Sequence, residues 1–301
     1  MKAWRLARIL VVTRSFAESL ERTDISRLGI SAATFFVLIV SALAGRSIRQ
    51  FRINRSKATD DPNDRSQGQE EYLLGGSLAL LALLLAFTFG LVLNRYEARR
   101  QLVTNEANAI GTAYLRAQLL DEPHRSRLSG LLIAYTDNRI RVANSGAEAD
   151  ANLAKNDQLL TQIWAAVSAA DVSAQAHGIS MPLLEAFNEI INLDTERKVA
   201  WRLRVPAGVL ALLLAYLIVT AGELGYIVEG ARGKRAALML FVLIALSIGV
   251  ITDVNRPSSG AIRESQRPMI ELLNALRTQS PRAFDQFKAS PPVSRNRSHE
   301  R

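Results

Sequence analysis

The chain has 301 residues, no cysteine and a formal net charge of +9. The lack of cysteine excludes disulfides, thiolate metal ligands and cysteine nucleophiles. The positive charge lies mainly on arginines beside apolar runs, and no base-stacking aromatic platform accompanies it. We therefore predict contact with lipid headgroups and no nucleic-acid partner.

Four apolar runs are the strongest signal in the sequence. They contain no Asp, Glu, Lys or Arg, and each has about the 17 to 25 residues that a helix needs to cross roughly 30 Å of hydrocarbon. Because lipid offers the backbone no hydrogen bonds, separated runs of this length predict membrane-spanning helices. The predicted spans are residues 28–45, 72–94, 205–228 and 236–252, the third apolar run itself ending at residue 221.

The predicted fold is all-α, an integral membrane protein with four transmembrane helices as two hairpins and a helical-bundle insert between them. The first hairpin covers residues 28–94, the insert 95–204 and the second hairpin 205–252. A basic amino-terminal segment, 1–27, precedes them. A carboxyl tail, 253–301, follows and is predicted to be disordered from about residue 290. We expect a multi-pass protein of the cell inner (plasma) membrane, with the lipid bilayer as a partner.

The orientation in the membrane stays open at this point. The loop of the first hairpin, residues 46–71, holds six Lys or Arg residues, and short basic loops favour a cytoplasmic position. That would place the insert outside the cytoplasm. The amino-terminal segment, 1–27, also holds six and argues for the opposite orientation.

The insert is predicted to be helical throughout. Apolar residues over 102–117 recur at spacings of three to five and form one face that continues the second span. The segment 121–123, Asp-Glu-Pro, ends this helix and starts the next, since Asp is a favoured N-cap and Pro is tolerated in the first turn. Four helices in the insert can bury one core as an up-down bundle. Further helices are predicted over residues 128–140, 148–176, 183–193 and, in the tail, 268–277.

The sequence holds no catalytic constellation and no cluster of metal ligands. His124, His177 and His299 are far apart, and none has a second ligand at helical metal-binding spacing. The segment 230–235, Gly-Ala-Arg-Gly-Lys-Arg, lacks the strand, the glycine spacing and the Ser or Thr of a phosphate loop, so we interpret it as a hairpin turn. We predict a protein that is not an enzyme and has no catalytic residue, metal or cofactor.

Charged residues at the span ends are the other candidates. Glu223 lies two residues beyond the third apolar run and is a candidate intramembrane acid, which either caps the span at headgroup level or belongs to an ion path. Asp253 and Arg256 follow the fourth span, and we interpret them as a local brace for the helix exit. The candidate neighbours of this brace are Arg95, Arg99 and Glu97.

Two motifs stand at the ends of the second and fourth spans. The first runs from the end of the second span into the insert, and the second, Asp-Val-Asn-Arg-Pro-Ser-Ser-Gly, follows the fourth span. The motif residues are Asn94, Arg95, Tyr96, Glu97, Arg99, Glu106, Asn108, Asp253, Arg256 and Pro257. Together the motifs resemble a bacterial membrane family labelled bestrophin-like, which is more distantly similar to the bestrophin anion channels. Asn255 stands in the second motif where the family usually has an acid.

The resemblance implies an oligomeric ion channel. Bestrophins are pentameric, chloride-permeable channels whose second helices line a neck, so it implies a homo-oligomer, a pentamer, with inorganic anions as partners. Ala79, Leu83 and Phe87 lie four residues apart on one helical face and are the candidate pore-lining residues. The same stripe also fits a face that contacts lipid or a neighbouring helix. The bestrophin calcium clasp is absent, so calcium gating is not expected.

A second function stays open beside the channel. In this alternative, the protein is a non-conducting membrane scaffold or sensor whose helical insert binds a partner or ligand. Conductance and oligomeric state would distinguish the two, because only the channel requires several copies around a common path.

Overall fold

A computed structural model describes residues 27–56, 66–144, 149–256, 262–279 and 284. Over these residues the chain is helical and contains no strand, which confirms the all-α class. The segment predicted to be disordered, from about residue 290, and Pro257 lie outside the described residues. The helices are α1 (Arg27–Ser56), α2 (Ser66–Ala117), α3 (His124–Asn144), α4 (Ala149–Ala169), α5 (Asp171–Ala176), α6 (Ser180–Arg202), α7 (Ala207–Ile227), α8 (Gly230–Val254) and α9 (Arg267–Thr278).

Four helical segments are long and apolar enough to cross a membrane. The first, second and fourth predicted spans each fall within one of them, and the third, predicted over 205–228, corresponds to α7 with slightly shorter bounds. That span begins at Ala207 because Pro206 before it has an extended backbone, with ψ of 132°, and cannot donate a hydrogen bond to continue α6. The segments are Leu28–Arg55, Glu70–Ala117, Ser180–Ile227 and Gly230–Val254.

The connection between α7 and α8 is shorter than the sequence indicated. Residues 230–235, interpreted above as a hairpin turn, are the first turns of α8, and only Val228 and Glu229 lie between the helices. Gly230 has a φ of +68°, a value that L side chains rarely adopt, so the reversal is completed at this residue. The hairpin-turn interpretation is therefore wrong for most of this segment.

The chain divides into two compact units. The described residues within 1–99 and 200–264 form the first, here called the membrane unit, and those within 100–199 and 265–301 form the second, here called the insert unit. Each unit has its own cluster of buried apolar side chains. The long helix α2 contributes its first part to the membrane unit and its last part to the insert unit.

In the membrane unit, α1 packs closely against α7 and α8. Small residues permit this approach: a Cβ at Gly45 would collide with the carbonyl of Gly222, and a Cβ at Gly225 would collide with the backbone of Ala42. The Ser41 hydroxyl donates a hydrogen bond to the Ile218 carbonyl, at 2.5 Å. Packing of small residues with interhelical hydrogen bonds is the usual way in which helices associate in lipid.

In the insert unit, the end of α2 packs with α3, α4 and α6 around buried side chains such as Tyr114 and Phe187. Helix α9 completes this core through Met269 and packs on α3. The Tyr114 hydroxyl donates to the Gln279 carbonyl, at 2.7 Å. The sequence predicted the tail helix over 268–277 but contained no sign that it joins the core of the insert.

Candidate functional site

The proposed pore stripe lies on an uncovered face of α2. Ala79 is exposed, and Leu83 and Phe87 are 50% and 65% exposed. The opposite face of the helix, with Thr88 and Val92, is buried in the membrane unit. The stripe is thus not part of the chain's own core, and lipid or another protein surface is left to cover it.

Phe89 points in a different direction from Phe87. It is 43% exposed and lies in a groove whose other wall is α8, including Leu243 and Val250. Two residues along a helix differ by about 200° in direction, which accounts for the difference. The two phenylalanines therefore form a matched pair, one on the uncovered stripe and one beside α8.

The described part of the second family motif, Asp253 to Arg256, lies at the end of α8 in the membrane unit. Arg99 is buried, forms an ion pair with Glu264, and donates to the Val254 carbonyl at 3.0 Å. The Asp253 carboxylate accepts a hydrogen bond from the Ile262 backbone N–H, also at 3.0 Å. Arg99 is one of the predicted neighbours, whereas the sequence did not indicate Glu264.

Asn255 and Arg95 hold the segment that leads into α7. The Asn255 Oδ1 accepts a hydrogen bond from the buried Val205 N–H at 3.0 Å, and the Arg95 guanidinium donates to the Arg204 carbonyl at 2.8 Å. This segment precedes Pro206 and is not helical. Its Val205 N–H and Arg204 carbonyl therefore form their hydrogen bonds with the two side chains instead.

We expect Asn255→Ala to lower the free energy of unfolding by about 1 to 3 kcal/mol, because it leaves the buried Val205 N–H without an acceptor. Asn255→Asp keeps the acceptor oxygen and restores the residue type usual in the family, so its cost should be smaller. Thermal unfolding of both variants in detergent measures the difference. Equal stability of the alanine variant and the parent would contradict this role.

The motif residue Glu106 lies at the centre of a buried charge cluster in the insert unit. Its Oε1 accepts a hydrogen bond from the Tyr135 hydroxyl at 2.6 Å and lies 2.9 Å from the Arg139 Nε. Its Oε2 pairs with Arg197 and accepts a hydrogen bond from the Arg139 Nη2 at 3.2 Å. The side chains of Glu106 and Arg139 are fully buried, so each charge depends on its partners.

Asp194 supplies the second negative charge of the cluster. Its Oδ1 lies 3.1 Å from the Arg139 Nη1 and accepts a hydrogen bond from the Asn156 side chain at 2.9 Å. Its Oδ2 lies 2.7 Å from the Lys198 Nζ, which also pairs with the exposed Asp157. Two buried carboxylates thus face two buried guanidiniums, with Lys198 at the edge.

The charges of the cluster stabilise the protonation states of Arg139 and Tyr135. Burial alone would lower the pKa of Arg139, but the adjacent Glu106 carboxylate raises that pKa above its ordinary value, so Arg139 stays protonated. Burial and the charge of Glu106 raise the pKa of Tyr135 well above its ordinary value, so the phenol stays neutral and donates. The cluster thus joins α2, α3 and α6 through paired charges.

The sequence motif contained Glu106 but not its partners. Arg139 continues the apolar stripe of α3 one turn beyond Tyr135, and Asp194 and Arg197 continue the stripe of α6 after Ile190. A charged residue at a core position of an amphipathic helix is a signal for a buried pair. That signal could have found all three residues.

The remaining predicted site residues differ in burial and position. Glu223 is partly buried near the end of α7 and lines a groove with Glu70 and Tyr226, and its Oε2 has no hydrogen-bond partner among the described residues. Arg95 and Tyr96 are half-buried, whereas Asn94, Glu97 and Asn108 are exposed. Asp253 and Arg256 are buried. No group of metal ligands occurs in the part of the chain that the structure describes.

These features define a helical membrane protein with four apolar helices and two compact units. A family model described as "Bestrophin-like domain" matches residues 35–269, well over half of the chain, and the chain belongs to this family. The match includes the α2 stripe, the Glu106 cluster and the α8 motif, as the resemblance of the motifs had indicated. No curated protein and no solved structure matches the chain.

Proposed function

We propose that the protein is a homo-oligomeric, anion-permeable channel of the cell inner membrane in which α2 lines the pore. The observation that carries this proposal is the uncovered stripe of Ala79, Leu83 and Phe87 on a membrane helix whose opposite face is buried. In a symmetric assembly, such a stripe from each copy would face the common axis. Membership of the bestrophin-like family supports the same reading.

The arrangement that we propose is two hairpins, α1 with α2 and α7 with α8, that place the insert unit on one side of the membrane. With five copies around an axis, the Phe87 rings would form an apolar constriction. Such a constriction controls permeation by narrowing the path and excluding water. The absence of charged side chains from residues 72–94 fits this kind of gate rather than a ring of charged ligands.

Halide flux into liposomes that contain the purified protein tests the channel. We expect Phe87→Ala to raise the flux severalfold or to reduce anion selectivity, because it widens the constriction. Phe89→Ala is the matched control, since Phe89 lies beside α8. It should leave the flux near that of the parent and lower stability by about 2 kcal/mol, less than the loss of a fully buried phenylalanine.

The outcomes separate the channel from the scaffold or sensor. Equal effects of the two alanine variants, or no flux in the parent and both variants, would contradict the channel. A monomer or dimer by native mass, together with no conductance, would favour a scaffold whose insert unit binds a partner. A pentamer with selective anion flux would support the proposal.

The two-hairpin arrangement makes a separate prediction about topology. Reporters fused after Arg55 and after Asp150 should report opposite sides of the membrane, because one span lies between them. We expect the Arg55 fusion in the cytoplasm, on the basis of the basic hairpin loop. Both reporters on one side would contradict four spans, whereas reversed sides would change only the orientation.

A further inference from the structure

We propose that the membrane unit binds an anionic phospholipid in a groove between α1, α7 and α8. The groove has a volume of about 190 Å³. Arg46 from α1 and Lys234 from α8 line it together, so two cations from two helices meet at one apolar surface. The apolar side chains that form its walls include Leu43, Leu224, Leu238 and Phe241.

The order of these residues along the helices matches the order of chemical groups in a phospholipid. Arg46 directly follows the apolar run 28–45, and Lys234 lies two residues before the run 236–252. Both cations therefore lie at the depth of the lipid headgroups. Leu43 and Leu238 lie within the runs, at the depth of the acyl chains. A lipid phosphate at the cations would place its acyl chain along the apolar wall.

The charges around the groove favour an anion. No acidic residue is among the described residues that line it, and neither Arg46 nor Lys234 forms an ion pair with another described residue. The nearby Glu229 is paired with Arg49 instead. Helix α8 begins at Gly230, and its first turn adds backbone N–H groups without helical acceptors and the positive end of the helix dipole.

A lipid is a better occupant than a soluble anion because the groove is mainly apolar. A free phosphate would use only the two cations and would leave the groove wall at Leu43 and Leu238 without a partner. A neutral phospholipid would cover that wall but would bring its own cation beside Arg46 and Lys234. Basic pockets between membrane helices are suited to anionic headgroups for this reason.

Native mass spectrometry of the full-length protein in mild detergent tests the site. The protein is titrated with phosphatidylglycerol and, separately, with phosphatidylcholine. We expect tighter binding of phosphatidylglycerol to the parent. The double variant Arg46→Gln with Lys234→Gln should weaken that binding about twenty-five-fold, since each basic residue near the headgroups contributes roughly a fivefold effect.

Two controls distinguish lipid binding in this groove from nonspecific electrostatic binding of anionic lipid to a basic protein. Arg55→Gln with Arg235→Gln removes the same charge from the same helices outside the groove, and it should leave phosphatidylglycerol binding nearly unchanged. Leu238→Trp keeps both cations but fills the groove, and it should weaken binding. Four results would overturn the proposal: equal losses in the two double variants, unchanged binding in Leu238→Trp, equal affinity for both lipids, or displacement of the lipid by millimolar inorganic phosphate.

Discussion

Glu106→Gln is expected to lower the free energy of unfolding of the insert unit by about 3 to 5 kcal/mol. The substitution removes the negative charge that Arg139 and Arg197 share, and both guanidiniums stay buried. The amide can still accept the hydrogen bond from Tyr135, so the loss is mainly that of the ion pairs. Urea unfolding in mild detergent, followed by tryptophan fluorescence, measures the effect.

A matched control separates burial from charge. Glu271→Gln changes the same residue type on the exposed face of α9, where its pair with Arg267 is open to solvent. Pairs of this kind contribute about 1 kcal/mol or less, so the urea midpoint should hardly move. Equal midpoints for the Glu106 variant and the parent would show that the buried cluster does not hold the helices together.

An apolar replacement tests whether the buried charges add net stability or instead select one packing arrangement of the helices. Glu106→Leu combined with Arg139→Met and Arg197→Met removes three of the four buried charges and leaves Asp194 paired with Lys198. This variant should recover much of the stability lost in Glu106→Gln, because isolated buried charges are the costly species. Recovery would indicate that the charges select the packing of α2, α3 and α6 rather than contribute net free energy.

Gly225→Ala is expected to lower the stability of the membrane unit by about 3 kcal/mol. The new methyl group would collide with the backbone of Ala42, which cannot move aside as a side chain does, so α1 and α7 would have to separate. The separation would also lengthen the hydrogen bond from Ser41 to the Ile218 carbonyl. The fraction of protein that remains monodisperse after heating in detergent reports the change.

The same substitution elsewhere on α7 provides the control for this prediction. Gly208→Ala meets no heavy atom within 4 Å and replaces glycine by a better helix former, so it should be neutral or slightly stabilising. We therefore expect Gly225→Ala to lower stability and Gly208→Ala to leave stability unchanged or raise it slightly. Similar behaviour of both would mean that close approach of α1 and α7 is not required.

The sequence alone determined the four spans, the all-α class and the family. Length and the absence of charge were sufficient for the spans, because lipid satisfies no backbone group and only a helix of that length can cross it. The stripe from Ala79 to Phe87 also followed from helical geometry. A helical stripe depends only on residues three and four positions apart, so a short stretch of sequence is enough to predict it.

Only the tertiary structure decided which distant residues meet. Glu106 pairs with Arg197, 91 positions away, and Asn255 caps the Val205 N–H, 50 positions away. The tail helix α9 joins the insert core, and Arg46 and Lys234 line one groove. Such contacts depend on the rotation and register of whole helices against one another. Many side chains decide these together, so no local pattern in the sequence records them.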